Sequence, residues 1–191
     1  MRDDFEDIFD FMARDPFPWQ VEQAETFHNK ISKGNGSGNF TLVAAPNSGK
    51  TDAAAMNMLI ARSKFGIRQF FFLSPTSVIK DQVIEDFSHL GLFFSSGYNN
   101  RKLIRSRLDP VLDGISCSYQ QIARFPELYR KLTSDTPTFV CGDEIHHLAK
   151  DKSWGDAFKY AFEHAQIRMF MSGTPFRCDG AEIPFVTYKE E

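Results

Sequence analysis

The sequence predicts an α/β fold, a mainly parallel sheet with helices on both faces. Three observations lead there. Short apolar runs recur at 40–45, 69–74, 115–118, 138–142 and 168–172, with helix-forming sequence between them for the crossovers that parallel strands need. Phe70-Phe71-Phe72-Leu73 is apolar at every position, as suits a central strand covered on both sides. The first run leads directly into Ala44-Ala45-Pro46-Asn47-Ser48-Gly49-Lys50-Thr51 and then into the strong helix former Asp52-Ala53-Ala54-Ala55-Met56. Strand, tight loop and helix start follow one another, and a sheet of this kind binds its ligand at the carboxyl ends of its strands.

Along the chain, residues 1–16 form an acidic segment with Phe5, Ile8, Phe9 and Met12 at helical spacing. Phe17-Pro18-Trp19-Gln20 breaks that helix, and a second is expected over 21–31. Gly34-Asn35-Gly36-Ser37-Gly38 is a flexible loop too short to separate domains, so 17–191 is expected to be one domain. A length of 191 residues suits a single sizeable core, and 20 Phe make that core rich in aromatics. The net charge of −3 gives no global attraction to nucleic acid, which must rely on local groups. Cys117, Cys141 and Cys178 are odd in number and widely spaced, which implies neither a disulfide framework nor a zinc site. The acidic N-terminus lacks an apolar signal core and no apolar run approaches a membrane span, so a soluble cytoplasmic protein without a membrane partner is expected.

The loop at 44–51 carries the chemistry of a triphosphate site. Backbone N–H groups of Asn47, Ser48 and Gly49 converge on phosphate oxygens, and the helix dipole adds to their field. Lys50 reaches the β- and γ-phosphates, and the Thr51 hydroxyl is a magnesium ligand. Ala44 replaces the first glycine of the G-x-x-x-x-G-K-[ST] pattern, and Asn47 tolerates the positive φ that such a loop demands. Val140-Cys141-Gly142-Asp143-Glu144-Ile145-His146-His147 ends a strand with adjacent carboxylates: Asp143 suits the magnesium shell, and Glu144 suits the base that deprotonates the attacking water. Ser172 and Thr174, at the end of the last strand, place hydroxyls beside the expected position of His146, which suits a relay of the γ-phosphate state. Gln20 carries the donor–acceptor pair that adenine asks for, with Phe17 or Trp19 to cover the ring.

Together these segments resemble the first RecA-like domain of a superfamily 2 helicase or translocase, of the DExH group that includes restriction-enzyme motor subunits. Phe17-Pro18-Trp19-Gln20 resembles the adenine-reading Q-motif region, and 45–51 resembles motif I. Ser74-Pro75-Thr76 followed by Gln82 resembles motif Ia, and Ser118-Tyr119-Gln120 resembles a segment that touches the nucleic-acid backbone. Asp143-Glu144-Ile145-His146 resembles motif II and Ser172-Gly173-Thr174-Pro175 motif III. The resemblance implies ATP and Mg2+ as cofactors and nucleic acid, DNA in preference to RNA, as partner. Pro75, Thr76, Ser118 and Tyr119 are the implied backbone contacts. Arg101, in the basic cluster 101–107, is either a phosphate contact or part of a solvated helix face.

The resemblance also implies a second RecA-like domain, in cis or in trans, that supplies an arginine finger and the other wall of the cleft. Nothing resembling it lies within these 191 residues, so this chain alone is expected to bind ATP weakly and hydrolyse it poorly. Two other readings stand beside the motor. A non-catalytic ATP-binding module completed by a partner chain would keep the same residues. A small P-loop kinase would explain Lys50 and Thr51 but leave the segments at 143–146 and 172–175 without roles.

Overall fold

The computed structural model describes residues 8, 15–105, 108–150, 152–173 and 185. In chain order the elements are α1 (Pro18–Lys33), β1 (Gly38–Val43), α2 (Lys50–Phe65), β2 (Gln69–Ser74), α3 (Ser77–Ser88), β3 (Phe94–Ser95), α4 (Asn100–Arg105) and β4 (Gly114–Ser118). After them come α5 (Tyr119–Arg124), α6 (Pro126–Asp135), β5 (Thr138–Gly142), α7 (His146–Lys150), α8 (Lys152–Ala161) and β6 (Ile167–Ser172). The six strands form one sheet in the order β1-β6-β5-β2-β4-β3, and every neighbouring pair is parallel. All carboxyl ends therefore share one rim.

Side-chain alternation along β2 divides the core. Phe70 and Phe72 point to one face, among Phe27 and Ile31 of α1, Met56 and Ile60 of α2, and Phe87 of α3. Phe71 and Leu73 point to the other, among Ile122 of α5, Tyr129 of α6, Phe158 of α8, and Phe162 just after that helix. Ring contacts run through both layers: Phe72 meets Phe87 edge-on at 5.4 Å, and Phe71 lies 5.5 Å from Phe162. Cys117 and Cys141 are buried free thiols within β4 and β5. Among the described residues, no helix is long and apolar enough to cross a membrane.

The observed strands β2 and β5 have the expected limits. β1 runs from Gly38 to Val43 and not to residue 45, because Ala44 and Ala45 leave the sheet to start the loop. The two-residue β3 is too short to show in the sequence pattern. The second helix starts at Pro18, three residues before its expected start. Proline stands at the first helical position, where its missing N–H costs nothing, and Gln20 accepts a hydrogen bond from Phe17 N (2.8 Å). Of the acidic segment, Ile8, Asp15 and Pro16 are described, and Ile8 is buried in the first core layer; Phe5, Phe9 and Met12 lie outside the described residues.

β4 can pair with β2 only because residue 114 has no side chain. Gly114 lies opposite Phe70, and a Cβ there would stand 2.2 Å from the Phe70 carbonyl oxygen. Gly114→Ala is therefore expected to destabilise the chain by at least about 2 kcal/mol, measured by urea unfolding. A loss under about 0.5 kcal/mol would show that the β2–β4 register differs from the one described.

Candidate functional site

The loop between β1 and α2 is shaped by two left-handed residues, Asn47 at φ 58° and Gly49 at φ 90°. The first main-chain bond of α2 runs from Ala53 N to Gly49 O (3.1 Å), which leaves the amides of its first turn outside the helix ladder, while Ser48 N donates to Ala45 O at 3.3 Å within the loop. The Ser48 hydroxyl is buried with no hydrogen-bond partner, a polar atom for which an incoming oxygen would be a match. Lys50 is 8% exposed, and its ammonium donates to Ala44 O (3.2 Å) and to Glu144 Oε1 (3.3 Å). Thr51 is half-buried in the next position of the helix.

Gln20 differs from expectation. Its side chain is fully buried and committed within the protein, accepting from Phe17 N and donating from Nε2 to Gly49 O at 2.9 Å. It thus ties α1 to the loop and does not present its amide to a base. Phe17, beside it, is 46% exposed, whereas Trp19 packs against the first core layer. Of the two aromatics, Phe17 is the more exposed.

β5 delivers the carboxylates. Asp143 N donates to Leu73 O (2.8 Å), and Glu144 takes a left-handed conformation with φ 48°, which throws its side chain across the rim. Ile145 N then donates to Met171 O (3.1 Å), which fixes the turn against β6. Glu144 Oε1 meets Lys50, while Oε2 lies 3.3 Å from His146 Nδ1 and accepts from Ser172 Oγ at 3.4 Å. His146 Nδ1 and Ser172 Oγ are 3.1 Å apart. One carboxylate thus gathers groups from the ends of β1, β5 and β6. Burial, and secondarily the charge of Glu144, push the Asp143 carboxyl up to about 6; Lys50 and the Glu144 amide oppose this. Thr174 lies outside the described residues, as do Pro175 and Phe176.

The other half of the rim, from β2, β4 and β3, carries the residues expected to face a nucleic acid. Pro75 is half-buried and Thr76 exposed at the end of β2. Ser118 caps α5, accepting from Gln121 N at 3.2 Å. Arg101 is exposed on α4; Ser106 and Arg107 of the basic cluster lie outside the described residues. Tyr119 requires a correction. Its side chain is 1% exposed, packed near Trp154 and Phe158, and its hydroxyl donates to Asp143 O at 2.6 Å. Burial raises its pKa well above the ordinary value, which keeps that hydroxyl a donor. It cannot touch a strand through its side chain. Sequence reasoning passes over Asn100, Gln121 and Tyr129, which form a buried polar network behind Ser118. Only their adjacency to the basic cluster and to Ser118 hints at it.

Comparison with known proteins shows the family and the fold. Residues 14–177 match the family described as type III restriction enzyme, res subunit, and the chain belongs to that family. An uncharacterized protein of Mycobacterium leprae is 38% identical over 149 residues, covering 78% of this chain and 24% of the relative. The chain therefore spans about a quarter of the length of that relative. Among solved structures, the UvsW helicase of bacteriophage T4 superposes with a TM-score of 0.64 at 15% identity, covering 91% of this chain and 60% of that one. The type ISP restriction-modification enzyme LlaGI, solved with a DNA substrate mimic, gives 0.59 at 14% identity, covering 85% of this chain and 18% of that one. The fold is thus that of RecA-like helicase domains.

A carboxyl whose folded pKa exceeds its unfolded value binds its proton more tightly when folded. For Asp143 the rise from 3.8 to about 6 means that stability falls as pH climbs through that window and stays lowered above it. Asp143→Asn should therefore stabilise the nucleotide-free chain at pH 8, by up to about 3 kcal/mol, with a smaller gain at pH 4.5. Urea unfolding at the two pH values checks this, and an equal gain at both would refute the buried-charge account.

Proposed function

We propose that this chain is the ATP-binding half of an ATP-dependent nucleic-acid motor. The observation that carries the reading is the Lys50–Glu144 pair, which places a phosphate-seeking ammonium and a carboxylate base 3.3 Å apart at the mouth of the loop. On ATP binding Lys50 leaves Glu144 for the β- and γ-phosphate oxygens, and the loop amides and the Ser48 hydroxyl take the remaining oxygens. Thr51 and Asp143 would hold Mg2+, a pair of hard oxygen donors that suits an ion bound mainly by phosphates and water. Among the described residues there is no cluster of three His, Cys, Asp or Glu, as a zinc-type site would need. When bound, magnesium neutralises charge on the phosphates.

Freed from Lys50, Glu144 accepts a proton from water as the water oxygen attacks the γ-phosphorus and the bond to the β-phosphate oxygen breaks. Inorganic phosphate and ADP are the products. His146 and Ser172, which already touch Glu144, register the presence of the γ-phosphate, and Thr174 is proposed for the same role. Phe17 covers the adenine. Pro75, Thr76, Ser118 and Arg101 carry the strand, and DNA is favoured by the restriction-type family and by the DNA mimic bound to LlaGI. The opposite wall of the cleft would come from a second RecA-like domain in cis or in trans, as the quarter-length coverage of the relative suggests.

Lys50→Ala is expected to weaken binding of a fluorescent ATP analogue at least about tenfold, because the one side-chain cation aimed at the phosphates is gone. Unchanged affinity in a folded variant would remove the basis of the proposal. Glu144→Gln should keep analogue affinity within about threefold while abolishing turnover, since only the base is lost. Parent-level phosphate release from that variant would exclude Glu144 as the base.

A further inference from the structure

A second concavity opens on the same rim, away from the loop at Lys50. It has a volume of about 410 Å³ and lies between α4, the end of β4, α5 and the start of α6. β4 stands four strand positions from β1, about 19 Å across the sheet, so this is not the ATP cleft. Arg101 and Arg124 line it, none of its lining residues is acidic, and the remainder are amides, Ser118 and Phe125. Among the described residues neither arginine makes a hydrogen bond or ion pair, in a chain whose net charge is −3. Phe125 is 47% exposed, whereas Tyr129 of α6 and Phe158 of α8 are core.

The wall of this cavity is rigid. Asn100 donates to Gln121 O (2.8 Å) and accepts from the Tyr129 hydroxyl (2.6 Å), while Gln121 Nε2 bonds Tyr98 O and Tyr129 Oη, both at 2.9 Å. Arg101 follows Asn100, and Arg124 lies one turn beyond Gln121, so the network fixes where both arginines start. Phe125 is pinned between α5 and α6 by its N–H to Ile122 O and its carbonyl to Leu128 N, each 3.1 Å. Two cations, a set of neutral donors and an exposed ring on a hydrogen-bonded backbone match a phosphate with a base attached.

We propose that this cavity takes one nucleotide of a single-stranded nucleic acid, with its phosphate on Arg101 and Arg124 and its base stacked on Phe125. The inference rests on the motor reading and adds a base contact to a track of backbone contacts: Ser118 lines the cavity and pairs in register with Ser74, from which Pro75 and Thr76 continue. A duplex keeps its base faces covered, so stacking selects an unpaired strand.

The test uses the 191-residue chain and anisotropy of two fluorescent 20-mers, one of thymidine and one abasic, over a range of salt. Arg124→Ala should weaken both strands and lower the salt slope by about 0.7, the value for one phosphate contact on a single strand. Phe125→Ala should weaken the thymidine strand roughly 5- to 100-fold and leave the abasic strand unchanged. Arg68→Ala, which removes the same charge from an exposed site at the opposite end of β2, should leave both within about twofold. Equal effects of Phe125→Ala on both strands, no effect of Arg124→Ala, or tighter binding of duplex would overturn the cavity while leaving the motor reading intact. A parent chain that binds the ATP analogue but no strand at all would overturn both the cavity and the nucleic-acid component of that reading.

Discussion

Lys50 and Glu144 are 94 positions apart, yet their side chains meet at the rim because β6 alone separates the strands that carry them. The arrangement of the site depends on this contact. Lys50 is almost wholly withdrawn from water, and an ammonium so placed costs several kcal/mol unless an anion stands beside it. Glu144 reaches it only by adopting a left-handed backbone, itself a cost of about 1–3 kcal/mol for a non-glycine residue. The strain persists because Ile145 is bonded to β6 immediately afterwards. The rim thus holds two adjacent carboxylates against one ammonium. That imbalance leaves Asp143 poorly solvated and poorly paired, and it creates a demand for another cation.

Holding three strand ends in place requires a sheet that does not yield. Here the phenylalanines act as spacers. β2 is buried along its whole length and contributes rings alternately to two layers, so helices on either face are referenced to the same strand. Close packing of this kind transmits displacement and does not absorb it. Gln20 adds a polar tie on one side: the bond to Gly49 O links α1 to the residue that turns the loop into α2.

The fold is legible in the sequence because its signals are local. Consecutive apolar residues in β2 and β5 mark buried strands whatever surrounds them, and Gly49-Lys50-Thr51 after a strand needs a loop of one shape. Asn47 at φ 58° follows from its own chemistry. What sequence does not convey is the use of a polar group whose partners come from elsewhere. Motifs describe residues by type, so Gln20 and Tyr119 look outward-facing, yet both are buried and spent on main-chain carbonyls. The Asn100–Gln121–Tyr129 network escapes for the same reason, since its members belong to three helices. Boundaries shift where a neighbour decides them, as at Pro18, whose ring suits a first turn as well as a break.

Tyr119 shows how the two halves of the rim are held to one geometry. It lies between Ser118 and Gln120, both of which line the cavity on the strand side, while its hydroxyl reaches the carbonyl of Asp143 on the other. The ring is enclosed near Trp154 and Phe158 of α8, so it cannot turn away without opening the core. Loss of the bond would leave a carbonyl without this donor, at a cost of about 1–3 kcal/mol. The start of α5 and the backbone of the first carboxylate therefore keep a fixed separation. A shift of either that keeps this 2.6 Å bond carries the other with it. The path from one site to the other is a single residue long: the peptide unit after Ser118, one ring, one hydrogen bond.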